Sequence, residues 1–378
     1  MRAHQRLRLG YFSADFRDHP VAQLLVELLE THDRDRFEVL GFSFRPPDTS
    51  LLGKRIVEAF DRFIDVSVKN DAELVSLARE LQLDIAIDLS GHTGGSRGRL
   101  FAQRIAPVQV NYLGFPGTLG ATYMDYLIAD TVVCPPGSEV WYSEKLARLP
   151  DSFMPHDSQQ NITGRTPTRQ ESGLPGIGMV FCCFNNHQKI NRAVFEIWMR
   201  LLLQVEHSVL WLTDGPDLMK ENLRREASTH GVDPARLIFA RRIEAMADHL
   251  ARYRLADLFL DTWPYNAHTT ACDALWSGVP VLTCAGSGFA SRVAASLLHA
   301  TGLPELITST PEAYEALALD LARNPTRLLA VRDTLERQKP RALLFDTAQL
   351  TRNLERLYTA MHQRASEGLP PEHITLQD

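Results

Sequence analysis

The sequence contains no apolar run long enough to cross a bilayer, and no cluster of Lys and Arg residues interleaved with aromatic ones. The first absence excludes a predicted transmembrane helix. The second leaves no basic surface for nucleic acid or an anionic membrane, since 40 basic residues stand against 46 acidic ones and the formal charge is −6. We therefore predict no nucleic-acid partner and no membrane partner.

Cysteine is scarce as well, with five residues and no C-x-x-C spacing. An odd number of cysteines, mostly in apolar segments, favours buried reduced thiols over a disulfide framework. The basic residues at the N-terminus are not followed by the apolar stretch of a secretory signal. Together these features predict a cytoplasmic protein.

Metal-ligand spacing is also missing from the sequence, and neither glycine-rich loop spells G-x-G-x-x-G. We therefore predict no metal site and do not favour a dinucleotide ligand. Asp33-Arg34-Asp35 formally spells D-x-D, a manganese motif of another transferase fold. Because it falls between a helical pattern and a strand pattern, we interpret it as a solvated turn. No self-similarity at a period of 34 residues is present.

Strand-like and helix-like runs alternate twice over the 378 residues, a length that suits two domains. This alternation predicts an α/β fold with two Rossmann-like domains that face each other across a crevice. The predicted boundaries are 1–150 for the first domain, 151–177 for a connector, 178–340 for the second domain and 341–378 for a C-terminal helix and tail. The predicted strands are Leu7–Ser13, Phe37–Phe44, Ile85–Leu89, Pro107–Tyr112, Met179–Phe184, Val209–Leu212, Leu237–Ala240, Leu258–Leu260 and Val279–Thr283.

A candidate anion site follows the apolar run Leu258–Leu260, where a short turn leads into a helix that begins with Thr269 and Thr270. The sequence predicts that Asn266 or His268 caps this helix. The unpaired N–H groups and the positive dipole end of a helix are a common phosphate site. A well-capped helix with a purely structural role explains the same residues.

Two further polar positions would lie near that helix start. Asp273 falls about one turn further along the same helix face, where its carboxylate can accept hydrogen bonds from a ribose diol. Lys189 follows another strand and can reach an anion at the helix start. A lysine at such a place is often only a solvated charge.

The first half of the chain offers polar or glycine-rich loops after three predicted strands. After the first strand, Asp15 and His19 precede Pro20, which is expected at the first position of a helix. The two side chains either project into the crevice or merely cap that helix. Gly91–Gly95 and Leu113–Thr118 follow two other strands, where the lack of side chains lets the backbone approach a ligand.

Five segments in this order and spacing resemble the catalytic region of the O-linked N-acetylglucosamine transferases, glycosyltransferase family 41. The segments are Asp15–Pro20, Leu113–Thr118, Phe184–Lys189, His268–Thr270 with Asp273, and Ala290–Ser296. The resemblance implies a GT-B fold and an inverting, metal-independent enzyme without a cofactor. Such an enzyme moves N-acetylglucosamine from UDP-GlcNAc to Ser or Thr hydroxyls, so its partners are a UDP-sugar donor and a protein or peptide acceptor.

The resemblance also implies a role for each matching residue. The catalytic residues are His19 and Asp15, near the acceptor and the reaction centre, and Lys189, on the donor diphosphate. The donor-binding residues are Thr269 and Thr270 on the diphosphate, Asp273 on the ribose, Asn186, His249 and Arg252 around the nucleotide, and Leu113, Gly114, Pro116 and His268 around the sugar.

The sequence departs from the family pattern at several points. Asn186 and Met246 stand where relatives usually offer Gln and Lys to the nucleotide, so the identity of the nucleotide-sugar donor stays open. Transfer of fucose from GDP-fucose is one alternative, and a non-catalytic nucleotide-sugar-binding protein is another. The tetratricopeptide repeats of most relatives are missing, and the short connector is of a bacterial type. The chain is thus expected to be a catalytic fragment or to recognise its acceptor differently.

Overall fold

The computed structural model describes residues 6–377. Residues 1–5 and 378, at the ends of the predicted segments 1–150 and 341–378, lie outside the described residues. Contacts divide the chain into two compact units. Unit 1 runs to Gln159 and resumes at Leu343, and unit 2 is Gln160–Ala342. The predicted connector is therefore divided between the units, and the predicted C-terminal segment packs as a part of unit 1.

Unit 1 begins with alternating strands and helices. These are β1 (Leu7–Ser13), α1 (Pro20–Glu30), β2 (Phe37–Ser43), α2 (Leu51–Glu58), β3 (Arg62–Asp65), α3 (Asp71–Glu80), β4 (Ile85–Asp88), β5 (Val108–Asn111), β6 (Tyr126–Asp130) and β7 (Lys145–Leu149). Helix α1 begins at the predicted Pro20, whose missing N–H costs nothing in the first turn.

Unit 2 repeats the alternation around a second sheet. Its elements are β8 (Val180–Cys183), α4 (Arg192–Gln204), β9 (Val209–Thr213), α5 (Asp217–Thr229), β10 (Leu237–Ala240), α6 (Met246–Tyr253), β11 (Leu258–Leu260), α7 (Thr269–Trp276), β12 (Val281–Cys284), α8 (Val293–Ala300), β13 (Ile307–Thr308), α9 (Pro311–Arg323) and α10 (Pro325–Gln338). All paired strands are parallel, in the order β10-β9-β8-β11-β12-β13.

The chain then returns to unit 1 with α11 (Thr347–Ser366) and β14 (Ile374–Thr375). Strand β14 pairs with β7, which completes a parallel sheet in the order β14-β7-β6-β5-β4-β1-β2-β3. Short 3-10 turns lie at Gly98–Gln103, Glu139–Trp141, His187–Lys189, Pro234–Arg236, Phe289–Ser291, Pro304–Leu306, Lys339–Arg341 and Leu343–Phe345.

Helix α11 is held to unit 1 by a buried polar network. The Tyr11 hydroxyl lies 2.9 Å from His32 Nε2 and 3.3 Å from the Tyr358 hydroxyl. On the other side of the imidazole, His32 Nδ1 lies 2.9 Å from Glu355 Oε1. Burial lowers the pKa of His32, so the ring favours its neutral form and uses both nitrogens in hydrogen bonds. The returning helix is therefore an integral part of unit 1.

The central strands of both sheets are buried along their whole length, including β4, β5, β8, β11 and β12. Strands that are covered on both faces read as continuous apolar runs, which is why the sequence reveals them. In unit 1 the rings of Phe12 and Phe42 stack at 4.3 Å within the core on one side of the sheet.

The predicted α/β architecture is confirmed, and all nine predicted strands are present within two residues of their predicted ends. Five strands were not predicted, namely the two-residue strands β13 and β14 and the longer strands β3, β6 and β7. Charged residues interrupt the three longer strands, as Arg148 does in β7, where its guanidinium is buried and paired with Glu139. No helix among residues 6–377 has both the length and the apolar character needed to span a membrane.

Candidate active site

The predicted anion site of unit 2 lies at the carboxyl edge of its sheet. Strands β8 and β11 are direct neighbours, so the loop that carries Lys189 and the turn that precedes α7 emerge side by side. In open α/β sheets this edge is where ligands bind. The topology therefore explains why two segments about 80 residues apart in sequence form one cluster.

Lys189 ends the 3-10 turn after β8 and points at the turn before α7. Its Nζ donates a hydrogen bond to the Asn266 carbonyl at 2.8 Å and lies 4.2 Å from the centroid of the Tyr265 ring. Burial lowers the pKa of Lys189 to about 8, and the charge of Asp261 opposes this shift. Lys189 is thus a fixed, partly desolvated cation and not a solvated surface charge.

Helix α7 starts without a side-chain cap. His268 occupies the N-cap position but makes no capping hydrogen bond, and the Asn266 amide instead donates to the Thr262 carbonyl at 2.8 Å. The prediction that Asn266 or His268 caps this helix is therefore wrong. The physical reason is the backbone of His268, whose ψ of −95° differs from the extended conformation of ordinary N-caps.

The missing cap leaves backbone donors at the helix start. Ala271 N and Cys272 N donate to the His268 carbonyl at 3.0 and 3.1 Å. Among the described residues, no acceptor lies within hydrogen-bond distance of the N–H groups of Thr269 or Thr270. These two N–H groups remain open to an anion.

The two threonine hydroxyls differ in their contacts. Thr270 Oγ1 donates to the Asn185 side-chain oxygen, and the proton of that hydroxyl is thus already used within the protein. The Thr269 hydroxyl has no such bond with a described residue and keeps its donor. A diphosphate at this helix start would therefore meet one hydroxyl donor and two backbone donors.

His268 lies beside the cluster as a neutral ring. Burial and the charge of Lys189 lower the pKa of His268 to about 3. Its ring stacks on Tyr265 with centroids 4.9 Å apart, and its Nε2 lies 3.5 Å from the Ala290 carbonyl. A neutral imidazole in this place offers hydrogen bonds to a sugar without adding charge.

Asp273 is a buried carboxylate on α7, and burial raises its pKa to about 7. Its side chain makes no hydrogen bond or ion pair with any residue in the described range 6–377. Leaving a buried polar group without partners is costly. The hydroxyls of a ribose would supply the donors that the protein does not.

His249 and Arg252 project from neighbouring turns of α6. Arg252 donates from Nη2 to His249 Nδ1 at 2.6 Å and from Nη1 to the Arg241 carbonyl at 2.5 Å. Its guanidinium lies 4.8 Å from the centroid of the Phe184 ring. Burial and the nearby guanidinium lower the pKa of His249 to about 4, so this ring is neutral.

A cavity of about 890 Å³ adjoins Arg252. Trp211, Phe239, Arg241 and Ile243 line its wall, with other residues of unit 2. The Nε atom of Arg252 and the indole Nε1 of Trp211 are buried without a hydrogen-bond partner among the described residues. An aromatic wall beside a guanidinium suits a flat heterocycle.

The two departures from the family pattern also fall in unit 2. Asn186 is exposed, and its side chain accepts a hydrogen bond from Gln188 N at 3.0 Å. Its oxygen therefore caps the 3-10 turn that carries Lys189. Met246 is the first residue of α6 and offers no charge to a nucleotide.

The unit 1 candidates share a sheet edge as well. Strand β4 lies between β1 and β5, so the three loops that follow these strands emerge together. The loops also touch: a Cβ atom on Gly91 would lie 2.6 Å from Phe115 Cβ, and one on Gly95 would lie 2.9 Å from Ala14 Cβ. Glycine is required at both positions, where φ is positive.

His19 caps α1. Its Nδ1 accepts a hydrogen bond from Val21 N at 3.2 Å, and its Nε2 lies 3.7 Å from Asp15 Oδ1. Asp15 is buried and also pairs with Arg17 at 3.2 Å. Burial lowers the pKa of His19, and the neutral ring with Nδ1 as acceptor carries its proton on Nε2. The capping interpretation of His19 is therefore correct, and its Nε2 stays available as a donor.

The loop after β5 approaches its neighbours closely. Leu113 has a φ of +68°, a strained value for a residue with a side chain. A Cβ atom on Gly114 would lie 1.9 Å from the Leu89 carbonyl oxygen. Pro116 follows in the same loop, which the buried Glu144 anchors by accepting from Thr118 Oγ1 at 2.5 Å. The segment is held rigidly in a shape that places backbone at the sheet edge.

No group of three His, Cys, Asp or Glu residues within 6–377 lies close enough together to hold a metal ion. Asp33 of the D-x-D sequence lies between α1 and β2, where its Oδ1 accepts from Asp35 N at 3.0 Å. This is a turn, as expected. All five cysteines are buried.

Sequence reasoning missed two residues beneath the cluster, Asn185 and Asp261. Asp261 is fully buried, and burial raises its pKa to about 6. Asp261 follows β11 directly, and Asn185 follows β8 after one intervening residue. A carboxylate at the end of a buried strand is the signal that could have identified Asp261. An asparagine in a polar loop carries no such signal.

The family model of glycosyl transferase family 41 matches residues 1–166 and 162–354 of the chain. The chain belongs to glycosyl transferase family 41. Family membership agrees with the resemblance found in the sequence. It does not test the role of any single residue.

Relatives with known names extend over nearly the whole chain. The probable UDP-N-acetylglucosamine--peptide N-acetylglucosaminyltransferase SEC of Arabidopsis thaliana is 37% identical over 376 residues, which cover 98% of this chain and 38% of that protein. This family 41 chain therefore spans about two-fifths of that relative.

Two solved structures confirm the GT-B fold. A mutant of the Thermobaculum terrenum O-GlcNAc transferase superposes with a TM-score of 0.90 at 37% identity, covering 97% of this chain and 69% of that chain. Anabaena Alr3699/HepE, in complex with UDP and glucose, superposes with a TM-score of 0.62 at 12% identity, covering 94% of this chain and all of that chain. The second similarity concerns the fold alone.

Proposed function

We propose that this chain moves N-acetylglucosamine from UDP-GlcNAc to Ser or Thr hydroxyls of proteins, with inversion at the anomeric carbon. We further propose that it needs no metal and no cofactor besides the donor, and that it acts in the cytoplasm. Membership in family 41 and the names of the relatives support the donor and the protein acceptor. The chemistry rests on the cluster in unit 2.

The observation that carries the proposal is that the Lys189 ammonium binds the Asn266 carbonyl, in the turn that leads to the two open N–H groups at the start of α7. Transfer from a nucleotide sugar expels a diphosphate while positive charge grows on the sugar ring. A fixed cation and oriented N–H groups stabilise the negative charge that develops on the leaving group. Because the ammonium and the N–H groups are held in place before the nucleotide sugar binds, they need no reorganisation during the reaction.

The remaining donor contacts follow from unpaired groups in unit 2. The Asp273 carboxylate accepts from the ribose hydroxyls, and the cavity beside Arg252 receives the base. His268 contacts the sugar, and the role of the loop Leu113–Pro116 at the sugar stays a prediction from the sequence. The assignment of Asp273 pairs a carboxylate that has no hydrogen-bond partner among the described residues with ligand groups of matching chemistry.

His19 and Asp15 serve the acceptor in this proposal. Because His19 Nδ1 is engaged in the cap of α1, the neutral ring presents Nε2–H and first orients the acceptor as a donor. Its Nε2 can remove the proton of the hydroxyl only after the ring changes tautomer, which also breaks the cap bond, because a protonated Nδ1 cannot accept from Val21 N. General-base help is then a smaller contribution than the stabilisation of the diphosphate.

The decisive experiment combines binding and transfer. A thermal-shift screen with UDP-GlcNAc, GDP-fucose, UDP and GDP identifies the nucleotide, and labelled donors with a Ser/Thr-rich acceptor peptide measure transfer. We expect UDP and UDP-GlcNAc to stabilise the protein and N-acetylglucosamine to be transferred. Preferential binding and transfer with GDP-fucose would show that the donor is GDP-fucose and not UDP-GlcNAc. Binding without any transfer would favour the non-catalytic alternative.

Chelation tests the metal-free part of the proposal. We expect EDTA to leave the transfer rate unchanged, because no cluster of metal-ligand side chains occurs in the described part of the chain. The control adds Mg²⁺ or Mn²⁺ back after chelation. Strong inhibition that either ion reverses would contradict the proposal.

A further inference from the structure

A fully buried carboxylate lies beneath the proposed diphosphate site. Asp261 follows β11 directly, and its Oδ1 accepts hydrogen bonds from Thr262 N at 2.7 Å and Ala267 N at 2.6 Å. Its Oδ2 accepts from Thr283 Oγ1 at 2.6 Å. The side chain is 0% exposed, so it cannot touch a ligand itself. Whatever it contributes must pass through its partners.

The first connection runs through the turn to Lys189. Asp261 binds N–H groups near both ends of the segment 261–267, which closes the turn around one carboxylate oxygen. Within the turn, Asn266 Nδ2 donates to the Thr262 carbonyl at 2.8 Å. The carbonyl of Asn266 then accepts from Lys189 Nζ at 2.8 Å. The position of the ammonium therefore depends on a turn that Asp261 holds.

The second connection runs through Asn185 to α7. Asn185 Nδ2 donates to Thr262 Oγ1 at 2.9 Å and lies 3.3 Å from Asp261 Oδ1. Since a carboxylate only accepts, it favours the amide orientation that turns the NH₂ group inward. The amide oxygen then faces the helix and accepts from Thr270 Oγ1. Asp261 thus fixes the side chain of Thr270 at the first turn of α7.

The third connection is electrostatic. Lys189 is partly desolvated, and the titratable groups that face it are Asp261 and Cys183, each of which would favour the ammonium form when deprotonated. The thiol of Cys183 is protonated, because burial raises its pKa well above the usual range. The ring of His268 is neutral. Asp261 is therefore the negative charge that balances Lys189.

We propose that Asp261 is a positioning residue of the diphosphate site. Asp261 holds Lys189 in place through Asn266, holds Thr270 in place through Asn185, and keeps the Lys189 ammonium charged. The inference rests on the proposed function, because it takes the Lys189 cluster as the diphosphate site. It adds a residue that the ligand never contacts.

The test is Asp261→Asn, which keeps the shape and the Oδ1 acceptor and removes the charge. The chain has six lysines, so Lys189 can be followed by NMR after labelling lysine at Cε with ¹³C, and the Lys189→Arg variant assigns its signal. In the wild type we expect a pKa of about 8 for Lys189. In Asp261→Asn we expect it to fall by ~0.5 unit or more, since an opposite charge is lost.

Nucleotide binding provides the second measurement. We expect Asp261→Asn to weaken the binding of UDP about threefold to tenfold at pH 7, with a larger loss at pH 8.5, where more of the variant's Lys189 is neutral. The matched control is Asp130→Asn. Asp130 is also a buried carboxylate at the end of a strand that accepts backbone N–H groups, but it lies in unit 1. We expect this control to leave the pKa of Lys189 unchanged.

An unchanged pKa of Lys189 together with unchanged UDP affinity in folded Asp261→Asn would overturn the inference. If that variant does not fold, Asn185→Ala decides, because it removes the connection to Thr270 and leaves in place both the charge of Asp261 and its bonds to Thr262 N and Ala267 N. We expect it to weaken UDP binding and to leave the pKa of Lys189 unchanged, and unaltered affinity would overturn the inference. A wild type that binds UDP without transferring sugar would refute the proposed function alone. The titration of Lys189 in the unliganded protein does not depend on turnover.

Discussion

Helices α1 and α7 both follow a loop at the carboxyl edge of a parallel sheet, and both have a histidine at the N-cap position. His19 has an extended backbone with φ −154° and ψ 147°, and its ring accepts from Val21 N. His268 has φ −112° and ψ −95°, and its ring does not cap. The same residue type at the same helix position thus closes one helix start and leaves the other open for a ligand.

The comparison shows that an anion site depends on what is left unpaired. In α1, Pro20 has no N–H and the imidazole takes the next one, so few donors remain. In α7, the N–H groups of Thr269 and Thr270 have no acceptor among the described residues, and Lys189 lies against the same turn. If the open start of α7 is a ligand site, substitutions there will change nucleotide binding, whereas substitutions at the capped starts of other helices will change stability alone.

The largest effect is expected for Lys189→Met. Loss of the cation beside the leaving diphosphate should remove ~3 kcal/mol or more of transition-state stabilisation, which is a loss of roughly a hundredfold or more in transfer rate. For the wild type, kcat/KM should fall as the pH rises through about 8, because Lys189 then loses its charge. Initial rates at several pH values measure both the loss in the variant and the pH dependence of the wild type, and melting curves show whether the variant is folded.

The control for this change is Lys54→Met, which removes an exposed lysine of α2. It should leave both rate and melting temperature unchanged. A folded Lys189→Met variant with the turnover of the wild type would refute the assignment of the diphosphate site.

The next effect separates a ligand-binding helix start from a structural one. The double variant Thr269→Val, Thr270→Val should weaken UDP binding by on the order of 1 to 3 kcal/mol, because it removes the Thr269 donor and the bond from Thr270 to Asn185. Its stability should change less than its affinity. Calorimetric titration and urea unfolding give the two values.

The matched control is Thr310→Val at the start of α9. Thr310 is a conventional cap, whose side chain accepts from Ala313 N at 3.1 Å. This variant should lose ~1 kcal/mol of stability and none of its UDP affinity. If both variants show the same pattern, α7 is an ordinary structural helix.

Asp273→Asn should act in opposite directions on stability and binding. The pKa of Asp273 is raised from 3.8 to about 7 in the folded state, so the folded protein retains a proton between these values. Its stability therefore falls as the pH rises from about 4 to about 7. The variant lacks this decline and should be more stable than the wild type at pH 8 by on the order of 1 kcal/mol.

The same variant should bind UDP more weakly and inorganic diphosphate as well as the wild type does. Unfolding at pH 5 and pH 8, with titrations of both ligands, measures this. Equal loss of affinity for UDP and diphosphate would show that Asp273 does not recognise the ribose.

The smallest effect concerns the two histidines. His19→Ala should cost ~1 kcal/mol of stability through the lost cap, and His19→Asn, which can cap, should restore most of it. His268→Ala removes no capping bond. Urea unfolding of the three variants checks the difference, and a larger loss for His268→Ala than for His19→Ala would contradict the comparison.

The fold was predictable where burial leaves a simple trace in the sequence. Strands such as β10 and β11 appear as apolar runs with their observed ends, whereas β6 and β7 contain charged residues that only the tertiary contacts of Asp130 and Arg148 explain. At the site, the order of motifs identified the residues near the helix start. The missing cap was not predictable, because it depends on the backbone angles of His268.

The roles of Asp261 and Asn185, beneath the site, could not be predicted for a similar reason. Asp261 acts on Lys189 through a turn and through charge, and neither can be read from sequence spacing. His19 was identified, but its tautomer follows from a single hydrogen bond to Val21 N. Sequence patterns locate such groups, whereas hydrogen-bond partners decide their protonation states.

The return of the chain to unit 1 has a consequence for biosynthesis. Unit 2 is one continuous segment, so all of its residues are synthesised before α11 and β14. Unit 1 must wait for them, since Tyr11, His32 and the surrounding apolar side chains stay uncovered until Glu355 and Tyr358 arrive. The half of the protein that is made first is therefore completed last. A chain that ends at Ala342 and has been released from the ribosome would contain all of unit 2 but would leave the core of unit 1 exposed to chaperones.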